Sequence, residues 1–130
     1  MTKSLIALMA GAGWIVVATP VARADGGPAA GQTASRPVAF APCTACHSTE
    51  PGKKMFVPNL AGVAGRKAAS LPDYAYSPAL KASGLVWTAQ TLDKWLTSPQ
   101  KAVPGTKMPF PGIADPAKRK AVVDYLLSLK

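Results

Sequence analysis

The chain has 130 residues, 48% of them hydrophobic, and its 15 Lys and Arg against 6 Asp and Glu give a net charge of +9. This length fits one domain with a modest core. The basic excess favours acidic partners or an anionic membrane surface, while the lack of interleaved aromatic and basic residues argues against nucleic-acid binding.

The first 24 residues have the pattern of a signal peptide. Lys3 gives a basic start, residues 5–17 form an apolar run, and Ala22-Arg23-Ala24 supplies the small residues of a cleavage site. The run is shorter than the about 20 apolar residues that span a bilayer, which favours cleavage over a retained anchor. We predict export to the periplasm and a processed chain that begins at Asp25. Its charge would be +7, because Lys3 and Arg23 are lost from the +9.

Residues 25–36 are rich in Gly, Ala, Ser and Pro without an apolar period, so we predict a flexible N-terminal segment there. The folded domain is predicted to span residues 37–130. Pro37 suits the first turn of a short helix that contains Phe40 and carries Pro42 near its end.

The motif Cys43-Thr44-Ala45-Cys46-His47 is typical of covalent haem attachment. Two thiols three residues apart lie on one side of a helical turn, where both can reach the vinyl groups on one porphyrin edge. The imidazole of His47 then faces the iron, for which a neutral ring nitrogen is a good ligand. We predict one haem c, attached through Cys43 and Cys46 and ligated by His47.

A Cys-x-x-Cys pair also occurs in redox disulfides, structural disulfides and zinc sites. A zinc site needs four ligands, whereas the chain has only two cysteines and one histidine. A thioredoxin-like fold needs alternating strands and helices, and the flanking sequence offers none. A haem-free redox or structural module is the alternative class.

Residues 48–81 show no sustained helical or strand period and are interrupted by several prolines and glycines. A connection of this length is unusual unless something organises it, and wrapping around a flat cofactor would do so. The predicted fold class is therefore all-α, with few short helices and long loops wrapped around one haem.

Two helices are predicted in the second half of the chain. Thr88 can cap the first, residues 88–98, which Pro99 follows. Asp115 caps the second, whose apolar stripe consists of Val122, Val123, Leu126 and Leu127. Between them, residues 104–112 contain three prolines and two glycines, so we predict a shaped loop.

Elimination identifies the ligand on the far side of the iron. With His47 and both cysteines in use, a methionine sulfur is the remaining soft neutral donor. Met55 is only eight residues from His47, which makes the opposite face hard to reach. Met108 lies in the stiff proline-rich loop, and we predict it as the second iron ligand.

A His and Met pair raises the reduction potential and fills both axial positions of the iron. Oxygen, peroxide or a substrate then finds no open site, so we predict a one-electron carrier and not an enzyme. It would be a soluble monomer without a small-molecule substrate, shuttling electrons between periplasmic or membrane redox complexes. Two alternatives stay open: a haem c subunit or domain partner of a periplasmic oxidoreductase, and an open-site haem enzyme or sensor.

From residue 40 to residue 129 the sequence resembles the class I c-type cytochromes, the family of mitochondrial cytochrome c and bacterial cytochrome c2. After the attachment motif, the shared motifs stand in the family's order: Pro58-Asn59-Leu60, Gly62, Gly65-Arg66-Lys67, Tyr74-Ala75-Tyr76, Trp87, Trp95-Leu96, Pro99, Pro104-Gly105-Thr106-Lys107-Met108 and Tyr125-Leu126. This resemblance implies the cytochrome c fold and electron transfer.

The resemblance also implies which residues surround the haem. The Pro58 carbonyl would accept a hydrogen bond from the His47 imidazole and fix its orientation. Three side chains would hold the buried haem propionates, since a carboxylate removed from water needs polar or charged partners: Arg66, Tyr76 and Trp87.

This sequence departs from the family at several of these positions. Many members have tyrosine at the position of Trp95, which is a haem-contact position, and asparagine at the position of Leu80. Each of these changes removes a polar group near Met108. The small glycine that the family has shortly before the first helix's aromatic residue has no clear counterpart in this sequence. Ser35 or Arg36 stands there instead, which leaves the crossing of that helix against Tyr125 open.

Partners of the family dock through basic residues around the exposed haem edge. The positions that match are Lys53 or Lys54, Lys101 and Lys107. Because Pro42 and Gln100 replace residues that are often basic, the docking charge would shift toward Lys118, Arg119 and Lys120. The implied partners are acidic surfaces of redox proteins or of membrane complexes.

Overall fold

The computed structural model describes residues 34–130. It contains a 3-10 helix, Val38–Ala45, and four α-helices: α1, Pro78–Ala82; α2, Ala89–Thr97; α3, Pro99–Ala102; and α4, Pro116–Ser128. Among these residues the one β-type pairing is an isolated bridge between Lys67 and Val86. The predicted all-α fold of short helices and long loops is confirmed. The predicted signal peptide and most of the flexible segment lie outside the described residues.

The two helices predicted in the second half of the chain are α2 and α4, and both begin at the predicted caps. The Thr88 hydroxyl accepts the Thr91 N–H, and the Thr91 hydroxyl accepts the Thr88 N–H in return. The Asp115 carboxylate accepts the N–H groups of Ala117 and Lys118 at 2.9 and 3.0 Å. These bonds satisfy backbone donors that have no partner inside the helix.

Two helices were not predicted. Ser77 caps α1, whose first residue is Pro78, within a region predicted to be loop. Pro99 begins α3 directly behind α2, where the sequence indicated only a helix stop. Helices of five and four residues are too short to show an apolar period, so tertiary contacts select them. The first helix has 3-10 geometry, with Pro37 at its cap and not in its first turn.

The core forms where the 3-10 helix and α2 both pack against α4. Phe40 contacts the edge of Tyr125 with ring centroids 4.9 Å apart, which answers the open question of this crossing. Phe40 and Val122 are among the most completely buried side chains of the described residues. No helix between residues 34 and 130 has both the length and the apolar composition needed to cross a membrane.

Candidate functional site

A cavity of about 290 Å³ opens into the centre of this helical frame. It adjoins the 3-10 helix, the loop that leads to α1, one face of α2, and the proline-rich loop after α3. The structure brings every predicted site residue to its wall: Cys43, Cys46, His47, Pro58, Arg66, Tyr76, Trp87, Trp95 and Met108. The predicted site residues, which come from separate sequence motifs, therefore line a single cavity in the folded chain.

Most of the remaining wall is apolar. The hydrophobic side chains come from four helices and the loop that precedes α1: Phe40, Leu60, Val63, Leu80, Leu92, Leu96, Val122 and Leu126. A mostly apolar cavity inside the core of a small domain costs stability unless an apolar group fills it. The wall therefore fits a large, flat, mostly apolar cofactor.

The two cysteine thiols lie at the edge of the cavity. Cys46 is exposed and Cys43 half-buried, and they are not joined to each other. Burial raises the pKa of the Cys43 thiol. Within residues 34–130 no three His, Cys, Asp or Glu side chains gather as metal ligands.

His47 is held by one hydrogen bond from its ring and one from its backbone. Its Nδ1 lies 2.7 Å from the carbonyl oxygen of Pro58, and its backbone N–H donates to the Cys43 carbonyl at 2.8 Å. Since a carbonyl can only accept, Nδ1 carries the proton and Nε2 keeps its lone pair. Burial lowers the pKa of His47, which favours the neutral ring that a metal requires.

Arg66 ties together the loop that carries Pro58. Its guanidinium donates to the carbonyl oxygens of Asn59 and Ala61 at 2.7 and 2.8 Å. Burial lowers the pKa of Arg66, and the nearby Tyr76 opposes this shift. Arginine remains charged nonetheless, so a partly buried cation lies in the cavity wall beside a phenol.

Aromatic pairs stiffen two parts of the wall. Trp87 and Trp95 meet edge to face with ring centroids 5.2 Å apart, and Tyr74 and Tyr76 do so at 4.8 Å. Such pairs add about 0.5–1.5 kcal/mol to the stability that area burial provides. The rings at the predicted haem positions are thus held by each other as well as by the backbone.

The loop with Met108 is tied to neighbours on both sides. The Gln100 side chain, from α3, donates to the carbonyl oxygens of Thr106 and Met108 at 2.9 and 3.3 Å. Lys107 donates to the carbonyl of Ala75 at 2.8 Å, across 32 residues of sequence. Met55 does not line this cavity, whereas Met108 does.

The end of the same loop is clamped against α2. The Ile113 N–H donates to the Leu96 carbonyl at 2.7 Å. A Cβ on Gly112 would overlap the backbone oxygen of Thr97, and Gly112 has φ +107°. Only glycine lets the chain pass α2 at this distance.

An ion pair that is buried on its arginine side completes this clamp. Arg119 of α4 contacts the Asp93 carboxylate of α2 at 2.7 Å, and its side chain is only 13% exposed. The same guanidinium donates to the carbonyls of Ile113 and Ala114 at 2.8 and 3.3 Å. One residue therefore joins two helices and the end of the Met108 loop.

The chain is similar over most of its length to proteins of one family. Residues 29–130 match the family model described as cytochrome c. The chain belongs to the cytochrome c family. Cytochrome c2 iso-2 of Magnetospirillum fulvum is 48% identical over 96 residues, which cover 74% of this chain and 100% of the relative. Cytochrome c2 of Rhodoblastus acidophilus is 47% identical over 106 residues, or 81% and 94%.

A solved structure has the same fold. Cytochrome cH from Methylobacterium extorquens shares 53% identity with this cytochrome and superposes with a TM-score of 0.63, covering 68% of this chain and 89% of its own. Cys43 and Cys46 occupy the family's attachment positions, and through them this cytochrome binds haem c covalently. It is an electron-transfer protein and not an enzyme.

Two polar residues of the cavity wall were not predicted. Ser77 and Thr106 line the cavity and are only 3% and 8% exposed. The Ser77 oxygen accepts the Leu80 N–H at 3.2 Å, which leaves its own O–H free to donate. Ser77 and Thr106 each lie near a proline, and serine and threonine beside prolines are typical of turns and helix caps. The sequence therefore did not indicate that either hydroxyl lines a cavity.

The basic residues divide into exposed and structural ones. Lys53, Lys54, Lys101 and Lys107 are exposed, as a docking role requires, but Lys53 lies 3.2 Å from Glu50 and its charge is locally balanced. The expectation that Arg119 adds to the docking charge is wrong, because its guanidinium is buried against Asp93. Lys120 is exposed but lies 2.6 Å from Asp124, so its charge is locally balanced.

Proposed function

We propose that this cytochrome is a one-electron carrier in which His47 and Met108 bind the haem iron from opposite sides. The observation that carries the proposal is that both side chains line one cavity, at whose edge the two attachment cysteines lie. The bond from Nδ1 to Pro58 leaves Nε2 of His47 as the only ring atom able to bind a metal.

Met108 is the better candidate for the sulfur ligand for two reasons. Met108 borders the cavity, whereas Met55 is 38% exposed and lines a separate, smaller recess. The Met108 loop is held by Gln100, by Lys107 and by the clamp at Gly112. A thioether is a weak ligand, so a loop fixed in advance reduces the entropy lost on binding.

The propionates would be held by residues on the polar side of the cavity. Arg66 contributes a cation that is already fixed by two backbone carbonyls. Tyr76 contributes a phenol and Trp87 an indole N–H, which is a donor only. Trp95 packs on Trp87 and would contact the haem with its ring. Ser77 and Thr106 would add two hydroxyl donors.

The bound haem iron supplies one-electron chemistry, gaining or losing an electron without forming a bond to a substrate. The chain's part would be to hold the iron through His47 and Met108 and to keep the surroundings rigid. The apolar wall excludes water, so few dipoles rotate when the charge on the iron changes. Fixed ligands and a dry wall together favour fast electron exchange.

The cellular setting is part of the same proposal. Residues 1–24 would direct export and be removed after Ala24, residues 25–36 would form a flexible lead, and residues 37–130 would form the functional domain in the periplasm. The partners would be redox proteins or membrane complexes with acidic surfaces, met by this cytochrome as a monomer. The exposed lysines support such partners, because opposite charges steer encounter.

The test replaces each methionine in turn. Met108→Ala should keep covalent haem, lose the weak long-wavelength absorption band that reports sulfur bound to oxidised iron, and bind carbon monoxide or cyanide quickly. Met55→Ala is the matched control and should behave as the wild type. A Met108→Ala protein that retains the band and resists both ligands would refute the assignment.

A further inference from the structure

The surface next to the cavity carries an apolar residue without a structural role. Phe56 is 98% exposed, so its ring contributes almost nothing to the core. Met55 beside it is 38% exposed, and Lys53 and Lys54 precede it. These four residues, Lys53 to Phe56, are called the Phe56 patch below. Most exposed apolar residues need no explanation, but this ring is large and adjoins a partly exposed methionine and two lysines.

The loop that presents the Phe56 patch is fixed and not free to collapse. The Asn59 side-chain amide donates to the carbonyl oxygens of Glu50 and Lys53, both at 2.7 Å. Its oxygen accepts the Ala61 N–H, also at 2.7 Å. One asparagine therefore closes the loop at both ends. An exposed ring on a preformed loop loses little conformational entropy when a partner covers it.

The patch borders the place where an electron would leave. Val57 and Pro58, the next two residues, line the cavity, and Pro58 accepts the hydrogen bond from His47. Cys46, at the cavity edge, is exposed. A partner that covers Phe56 would therefore also meet the residues that border the cavity.

The charge of the patch indicates the chemistry of the partner. Lys53 lies 3.2 Å from Glu50, so its charge is locally balanced. Lys54 and Lys67 are exposed and form no ion pair among residues 34–130, and the sequence between Glu50 and Asp73 has no acidic residue. One ring and one thioether give too small an apolar face to hold a protein on lipid. A protein interface instead uses a single aromatic anchor in a pocket with a polar rim.

We propose that Phe56 is the apolar anchor of this cytochrome's docking surface for a redox protein that offers an apolar recess with an acidic rim beside its own cofactor. The proposal rests on the electron-carrier function proposed above. Lysine charge would speed encounter, whereas burial of the Phe56 ring would set how long the complex lasts.

The test uses reduced haem-loaded protein and washed membranes of the organism that encodes the chain as the oxidant. Five proteins are compared by stopped-flow oxidation over a salt series: the wild type, Phe56→Ser, Phe56→Leu, Lys54→Ala and Val38→Ser. Val38 is 92% exposed, does not line the cavity, and is the matched control. Thermal unfolding and reduction potential should be unchanged in all five.

Phe56→Ser should slow oxidation about tenfold at every salt concentration, the factor expected for loss of one buried ring's contact. Phe56→Leu should restore most of the rate, and Val38→Ser should match the wild type. Lys54→Ala should slow the reaction only at low salt, because salt screens charge and not apolar contact.

Two results would overturn the proposal. Equal rates for Phe56→Ser and Val38→Ser would mean that the ring is not covered in the complex. Loss of binding to protein-free phosphatidylcholine and phosphatidylglycerol vesicles in Phe56→Ser, with an unchanged membrane oxidation rate, would assign the patch to lipid. If even the wild type is not oxidised, the electron-carrier proposal fails first and this one falls with it.

Discussion

The two sides of the cavity are built in different ways. On the His47 side, the thiols are one and four residues from the histidine, and Pro58 follows eleven residues later. On the Met108 side, contacts cross 32 residues from Lys107 to Ala75 and 26 from Arg119 to Asp93. The first side is local in sequence, and the second exists only in the folded chain.

This difference predicts where remote substitutions act. A side made of near neighbours keeps its geometry as long as the covalent bonds hold. A side held by loops and helices from different parts of the chain opens whenever one of them shifts. We therefore expect substitutions far from the iron to expose it when they lie on the Met108 side. Remote substitutions on the His47 side should have almost no effect on this exposure.

The largest effect should come from breaking the His47 side itself. Cys43→Ser with Cys46→Ser removes covalent haem, so the apolar cavity loses the group that fills it. We expect no cooperative thermal transition and no haem staining on a denaturing gel. Ala45→Ser, an exposed change within the same motif, should leave both as in the wild type. A cooperative transition in the double variant would show that the polypeptide core suffices.

A smaller but selective effect is expected at the clamp. Gly112→Ala places a Cβ against the Thr97 oxygen and should destabilise the protein by about 2–4 kcal/mol while haem stays attached. The sulfur band should weaken because the Met108 loop moves. Gly52→Ala is the matched control, since Gly52 also has a positive φ, +76°, but has no atom within 4 Å of the added Cβ. If both variants behave alike, backbone strain and not the close approach is responsible.

Arg119→Gln tests the ion pair behind the clamp. It removes a charged hydrogen bond to Asp93 and weakens the contact with the Ile113 carbonyl, at a cost of about 1.5–3 kcal/mol. Cyanide should also bind faster as the loop loosens. Lys120→Gln breaks an ion pair that is 74% and 52% exposed and should cost at most about 0.5 kcal/mol. Denaturant unfolding measures both, and equal costs would contradict the structural role of Arg119.

The smallest effect concerns the cap of α4. Backbone hydrogen bonds, chiefly that from the Lys118 N–H, lower the pKa of Asp115. A lowered pKa means stabilisation that is present above the ordinary pKa of an aspartate and is lost as the pH falls through the folded-state pKa. Asp115→Ala should lower the melting temperature at neutral pH, and the difference should shrink in acid. Asp115→Asn should melt close to the wild type, because asparagine caps without charge.

Several parts of the fold were predictable because their signals are local. Thr88 and Asp115 cap the helices at which they were predicted, since a cap bonds to residues two or three positions away. The pairing of His47 with Pro58 followed from the family resemblance. The short helices α1 and α3 escaped prediction because one helical turn carries no periodic signal.

The sequence by itself determined what this cytochrome binds, because thiols and imidazole lie within five residues and bring their own chemistry. It also reduced the choice of sulfur ligand to two methionines. Only the tertiary structure decided which charged side chains are free and which stabilise the fold. From the sequence Arg119 was predicted to be a surface cation, whereas in the structure it forms an ion pair with Asp93. The tertiary structure also decided how the Met108 loop is fixed. The clamp of Gly112 against Thr97 depends on two segments that meet in space, and no local sequence pattern encodes the distance between them.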